Sequence, residues 1–204
     1  MGGYAGTILY VDLTSGLIDK KPLDTDFARQ YIGGLGFGTR IYLDLIKNNP
    51  DVDPLGPENP FVLMTGPLTG FKLDGVARWT VGTRSPQTGF WGDANVGGFF
   101  GAYLKFAGYD GIVITGRAAS PSYLFINDDN VEIRDAGAYW GCDTYETNDR
   151  LIADLKGQSK RKGQVICIGP AGENQIRYAA IINNKRHAAG RTGPTGGPPC
   201  PARP

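Results

Sequence analysis

Apolar and polar positions alternate over Thr7–Asp12 and again over Leu17–Leu23, and the intervening Thr-Ser-Gly makes the two runs a hairpin. Helical spacing follows at Phe27–Ile32 and Thr39–Lys47, broken between them by Gly33-Gly34. Pro60–Pro67 (PFVLMTGP) and Ala77–Thr83 (ARWTVGT) are short, nearly continuous apolar runs, which predicts buried strands. Phe99, Phe100, Tyr103, Leu104, Phe106 and Ala107 form one helical stripe that stops at Gly108. DGIVITG, SYLFIND and NVEIRDA predict three more strands, the last two joined at Asp128-Asp129-Asn130. A helix over Tyr145–Lys156 has Asp143 as N-cap, Glu146 in the capping-box position and Gly157 past its end. QVICIGP and QIRYAAIIN predict the last two strands, followed by NKRHAAGRTG.

The same succession occurs twice: hairpin, helix, a strand ending in Gly-Pro, a second strand, then a Gly- or Ala-rich loop. VLMTGPLTG parallels VICIGPAGE, ARWTVGT parallels IRYAAII, and DANVGG parallels RHAAGR, with Gly66 set against Gly169 and Arg78 against Arg177. The expectation is an α+β fold of two similar β-sheet halves with a few helices, about 1–110 and 111–193, related by a pseudo-twofold axis. Two such halves would present two similar loops, suited to a ligand that is itself a pair of similar units.

Composition narrows the classes. Hydrophobic residues are 41% and charged residues 20% of 204, a globular balance. A net charge of +1 gives no electrostatic reason for a nucleic-acid or membrane partner. There is no signal-peptide pattern, and no run approaches the roughly 18 apolar residues of a membrane span, which points to a soluble cytoplasmic protein. Cys142, Cys167 and Cys200 lack C-x-x-C spacing, so this chain alone predicts no zinc or iron–sulfur site, and Cys167 reads as a strand residue.

No catalytic motif stands out. GGLGFG (Gly33–Gly38) lacks the dinucleotide spacing and follows a helix rather than a strand; Walker A and G-x-S-x-G patterns are absent, and Asp110 and Glu173 have no paired carboxylate. Anion-binding potential remains. NVGGFFGAY runs a Gly-rich turn into a helix, Gly190-Arg191 joins a close-approach residue to a guanidinium, and Arg78 heads a strand. Single glycines and arginines of this kind are most often turns and surface charges; their repetition in matched positions makes a binding role an even alternative.

The segments YVDLTSG, GPLTG, RSPQTGF, ANVGGFFGAYLKFAGYDGIVITG, VEIRDA, IGPAGEN and AAGR, in order over Gly3–Gly193, resemble the N-terminal domain of tungsten-containing aldehyde:ferredoxin oxidoreductases. The resemblance implies a β base on which a tungsten (or molybdenum) bis-pterin lies. It implies that Arg78, Asn95 and Gly97 meet one pterin, and His187, Ala188, Gly190 and Arg191 the other. It further implies Mg between the pterin phosphates, held partly by the backbone carbonyls of Asn95 and Ala188; oxygen ligands suit this hard cation.

Two departures qualify it. His187 stands where the family commonly has Arg, with Arg186 one place earlier. After Gly193 the family continues through a GAVMGSK-type segment into domains carrying a 4Fe-4S cluster and the substrate pocket, whereas here a Pro-rich tail, 194–204, follows and is expected to lack order. The implied whole enzyme oxidises a small aldehyde to a carboxylic acid and passes electrons to ferredoxin; these 204 residues alone are expected to lack turnover. The alternatives are part of an aromatic acyl-CoA reductase-like member, a binding-only module, or a non-functional truncated one. An exposed Gly-rich apolar face, with association into a homodimer or aggregate, is also expected.

Overall fold

The computed structural model describes residues 2–159 and 161–189. Elements run in the order β1 (Thr7–Asp12), β2 (Leu17–Pro22), α1 (Thr25–Tyr31), α2 (Leu35–Ile46), β3 (Phe61–Thr65), β4 (Trp79–Arg84), β5 (Trp91–Val96), α3 (Phe100–Phe106) and β6 (Gly111–Thr115). The later part comprises β7 (Ser122–Asn127), β8 (Asn130–Asp135), a 3-10 turn at Gly137–Tyr139, α4 (Thr144–Asp154), β9 (Ile166–Cys167), α5 (Gly169–Glu173), β10 (Ile182–Asn183) and β11 (His187–Ala188). The class is mixed α+β, as expected, with one large sheet and a few helices.

The large sheet has the order β2-β1-β6-β3-β4-β5. Alternate residues of its strands go to opposite faces, and both faces are covered. Ile8, Val62, Met64 and Val113 meet Phe37 and Ile41 of α2 and Ala28 of α1. Leu9, Leu63, Val81 and Ile112 pack on the other face with Leu104 of α3 and with Ile181 and Ala189 of the later part. Burial on both sides is why all five residues of β3 are buried and why it reads as a continuous apolar run.

Local signals explain most boundaries. The Asp24 and Asp143 carboxylates accept from first-turn amides of α1 and α4, at 2.7 Å from Phe27 N and at 2.8 Å from Glu146 N respectively. Glu146 turns toward Arg150, 3.4 Å away, rather than back to the cap. Helix α2 starts four residues before the expected Thr39, and Gly36 in its first turn lies against the end of α1, where a Cβ would meet the Tyr31 carbonyl. The N-terminal segment is tied down by Asp110, 1% exposed, whose carboxylate accepts from Ala5 N (3.0 Å), Gly6 N (2.6 Å) and Lys105 Nζ (2.6 Å).

The strand order partly repeats. β3, β4 and β5 form an antiparallel ladder, and so do β9, β10 and β11, while β1–β2 and β7–β8 are the two hairpins. One strand departs from the sequence reading: β6, placed by chain order in the second half, inserts between β1 and β3 of the first sheet. Its pairing extends the first half to Thr115 rather than residue 110.

Candidate functional site

Strand β5 builds one side of the site. Ala94 and Val96 point into the core, 4% and 1% exposed, which leaves Asn95 on the open side. There the Arg78 guanidinium donates to Asn95 O at 3.3 Å and to Asn95 Oδ1 at 3.2 Å. The expected Gly-rich loop is thus a strand as far as Val96, and only Gly97 and Gly98 turn the chain before α3. Gly97 O is held by two donors, Trp79 Nε1 at 3.2 Å and Asn183 Nδ2 at 3.1 Å. No side chain caps the first turn of α3.

The β10–β11 hairpin builds the other side. Asn184 and Lys185 take positive φ, 46° and 69°, to turn the chain, and Asn184 is a residue type that tolerates this. Arg186, His187 and Ala188 are exposed, while Asn183 and Ala189 are fully buried. A Cβ on Gly97 would lie 3.9 Å from His187 Nδ1, and one on Gly98 would lie 3.3 Å from His187 Cδ2 and meet the Asn183 amide. The two loops are therefore in contact.

Ladder registers give an equivalence independent of loop composition. Gly66-Pro67 lies two residues past Met64 and Gly169-Pro170 two past Cys167. Met64 pairs with Thr80, which pairs with Asn95; Cys167 pairs with Ile182, which pairs with Ala188. Asn95 and Ala188 thus occupy matching positions. The same registers match Arg78 to Ala180 rather than to Arg177, whose Nη1 is 3.5 Å from Pro86 O. In the first half Arg78 reaches Asn95 of β5; in the second Arg186 and His187 belong to the hairpin itself. Gly190 and Arg191 lie outside the described residues.

Chemically, the face offers the Arg78 and Arg186 guanidiniums and the half-buried Gly97, and beneath it lies one buried polar atom, Asn183 Oδ1, with no hydrogen-bond partner. Exposed apolar groups flank it: Leu68, Phe71 and Leu73 in the loop before Arg78, and Tyr178, 72% exposed, in the corresponding stretch of the later part. Among the described residues no group of three or more His, Cys, Asp or Glu side chains could hold a metal. Two residues escaped the sequence reading, Asn183 and Trp79. The consecutive Asn183-Asn184 is a turn signal; that the first Asn is buried and reaches across to Gly97 is a tertiary fact with no local signature.

Two expected results follow. Gly98 has φ of +85°, and the buried Asn183 cannot move aside for a side chain, so Gly98→Ala should cost about 2 kcal/mol in backbone strain plus any steric term, seen as a lowered thermal midpoint. Burial, with the Asp143 and Glu173 carboxylates adding to it, pushes the Cys167 thiol up to about 11. At pH 8 roughly one thousandth is thiolate, so alkylation followed by peptide mapping should find Cys167 reacting about a hundredfold more slowly than a free thiol.

Comparison with known proteins places the chain in a family. Residues 8–196 match the family described as "Aldehyde ferredoxin oxidoreductase, N-terminal domain". The tungsten-containing aldehyde ferredoxin oxidoreductase of Pyrococcus abyssi is 48% identical over 193 residues, covering 95% of this chain and 31% of that protein. The "Aliphatic sulfonate oxidoreductase, WOR-like subunit" of Pyrococcus furiosus is 39% identical, covering 95% and 32%. Among solved structures, the active-site complex BamBC of benzoyl coenzyme A reductase with 1,5-dienoyl-CoA superposes with a TM-score of 0.87 at 39% identity, covering 94% of this chain and 28% of that one. The chain spans about a third of the length of these curated relatives. With the family matched over nearly its whole length, this chain belongs to the aldehyde ferredoxin oxidoreductase N-terminal domain family.

Proposed function

We propose that this chain is the cofactor-cradling domain of a tungsten-dependent oxidoreductase that converts an aldehyde to a carboxylic acid and passes electrons to ferredoxin. The observation that carries the reading is the matched placement of Asn95 and Ala188 by two independent ladders, with Gly97 and Gly98 against His187. A face built from two equivalent loops suits a cofactor built from two equivalent pterins. The residues fit such a group: Gly97 leaves room for close approach, a Cβ there having nothing nearer than His187 Nδ1 at 3.9 Å, and Arg78, Arg186 and His187 suit phosphate. Arg78, Asn95 and Gly97 would hold one pterin, and His187, Ala188, Gly190 and Arg191 the other. The carbonyls of Asn95 and Ala188 would share Mg between the phosphates.

When bound, the metal dithiolene supplies the two-electron redox chemistry, and this chain supplies position and electrostatics. Arg78 is held by Asn95 in a geometry that leaves the rest of its guanidinium free. Trp79 and Asn183 fix the Gly97 carbonyl, so the loop meets the ligand already ordered. The substrate pocket, the 4Fe-4S cluster and the ferredoxin surface would belong to other parts of a longer protein, which is read as cytoplasmic.

The test is tungsten and pterin analysis of anaerobically purified protein. Pterin should co-purify, and Arg78→Ala, which removes a charge-assisted contact on an exposed residue, should lower retention about tenfold with the fold intact by circular dichroism. Unchanged retention in both Arg78→Ala and His187→Ala would remove those residues from the site. A second reading, part of an aromatic acyl-CoA reductase, is favoured by the TM-score of 0.87 to the benzoyl coenzyme A reductase complex. It would share the cradle and differ in substrate and in the reaction carried out.

A further inference from the structure

The loop from Gly66 to Arg78 joins β3 to β4 and delivers Arg78 to the candidate site. Most of it faces solvent: Leu68 and residues 71–75 are exposed, and of residues 66–78 only Thr69 is buried, at 5% exposure. A buried hydroxyl needs partners, and Thr69 finds them at both ends of the loop. Its Oγ1 accepts from Gly66 N at 3.0 Å and donates to Arg78 O at 3.0 Å, while its own amide donates to Gly66 O at 3.1 Å. A hydroxyl carries one proton, and here that proton goes to Arg78.

The two ends differ in how firmly they are held. At the Gly66 end, Thr65 N and Thr65 Oγ1 donate to Asp110 O at 2.9 and 2.7 Å, and Gly34 N donates to Thr65 O at 2.9 Å. Gly33 lies so close that a Cβ on it would be 3.0 Å from Thr65 O and 3.1 Å from Gly66 Cα. At the other end Arg78 is exposed and stands just outside β4, whose paired residues begin at Trp79. From there its guanidinium reaches Asn95 O at 3.3 Å and Asn95 Oδ1 at 3.2 Å. Both are at the long end of hydrogen-bond distances, so they hold only while the backbone at 78 keeps its place. The second half lacks this tie. Counted from Gly169-Pro170, Gly172 takes the place of Thr69, and a Cβ on it would meet Ile168. The β10–β11 hairpin is held otherwise, by Asn184 Nδ2 on Gln164 Oε1 at 2.8 Å and Lys185 Nζ on Asp149 Oδ2 at 2.6 Å.

We propose that Thr69 is a positioning residue for Arg78. Its hydroxyl ties the backbone at 78 to the fixed end of β3 and so aims the guanidinium at Asn95 and at an anion lying beside it. The ligand, a pterin phosphate, rests on the cradle reading above; the tie itself does not. Thr69 touches no ligand and acts through Arg78.

The first arm of the test uses the full chain without cofactor and follows the side-chain amide of Asn95 by nuclear magnetic resonance. Arg78→Ala supplies the reference for an Asn95 amide with no guanidinium on it. In Thr69→Val, which keeps the shape and drops the hydroxyl, the Asn95 signal should move most of the way to that reference, and Thr69→Ser should return it to the wild-type position. The backbone amides of Asn184 and Lys185 should stay in place throughout, because their hairpin is held separately. An unmoved Asn95 signal in folded Thr69→Val would overturn the proposal. So would equal displacement of Asn184 and Lys185, the mark of a general loosening. If Thr69→Val does not fold, Thr69→Ala, which leaves room beside Gly66 N and Arg78 O, takes its place with the same two outcomes. The second arm measures pterin retained after anaerobic purification. Thr69→Val should lower it about threefold to tenfold, Thr69→Ser should restore it, and Thr69→Val should add nothing in the Arg78→Ala background. A full further loss in that background would overturn the proposal, since the hydroxyl would then act elsewhere. Retention that ignores Arg78→Ala counts against the cradle, and the Asn95 signal still decides for or against the tie.

Discussion

Asp110→Ala should destabilise the protein by about 3–5 kcal/mol in chemical denaturation, a large share of the roughly 5–15 kcal/mol total of a typical domain. The Asp110 carboxylate is 1% exposed and answers three donors at once: the amides of Ala5 and Gly6 and the Lys105 ammonium, whose side chain is 8% exposed. Removing it leaves a buried ammonium with Gly3 O at 2.6 Å and the Tyr4 ring as its remaining partners, and two amides without their carboxylate acceptor. The backbone carbonyl of Asp110 also accepts from Thr65 Oγ1 and Thr65 N, so distortion there reaches β3. Adding Lys105→Met to Asp110→Ala should recover part of the loss, because the unpaired charge goes with it. If the single variant unfolded with the wild-type midpoint, the ion pair would be shown to be stability-neutral.

Trp79→Ala should cost about 3–5 kcal/mol for the lost core volume, and in addition loosen the candidate cradle. Trp79 is 1% exposed, rests against Phe100 with ring centroids 5.3 Å apart, and fills the space against Gly101, where a Cβ would come within 2.9 Å of it. Its Nε1 is one of two donors fixing Gly97 O. Trp79→Phe separates the roles: it keeps most of the volume and drops the donor. That variant should lose roughly 1 kcal/mol of stability yet show faster amide exchange at Gly98 and Phe99. Equal exchange there would mean that Asn183 alone holds the loop.

These two residues mark the limits of what the sequence reveals. Local elements were legible wherever period, cap and stop agree, as at the first hairpin and at α4 with its Asp143 cap. The family and the matched loops were legible as well, because short Gly- and Ala-rich motifs recur at fixed places relative to the Gly-Pro pairs. Pairing across long separations was not. Nothing near Gly111 says that β6 inserts between β1 and β3, since strand order is decided by contacts distant in sequence. QIRYAAIIN reads as one strand, but only Ile182–Asn183 makes ladder pairs, the preceding stretch being drawn into turns after α5. The Arg78–Arg177 match failed for a related reason: loops of unequal length shift residue offsets, and only ladder registers restore them.

The central claim is that two equivalent loops hold one two-part ligand. The most direct measurement is an anaerobic titration of the isotopically labelled protein with purified tungsten bis-pterin cofactor, followed by amide chemical shifts. The claim requires the amides of Gly97 and Gly98 and those of His187 and Ala188 to shift together, along a single binding curve, and the curve to weaken about tenfold in Arg78→Ala. Shifts confined to one loop, two separate curves, or no response at either loop while the protein remains folded would contradict it.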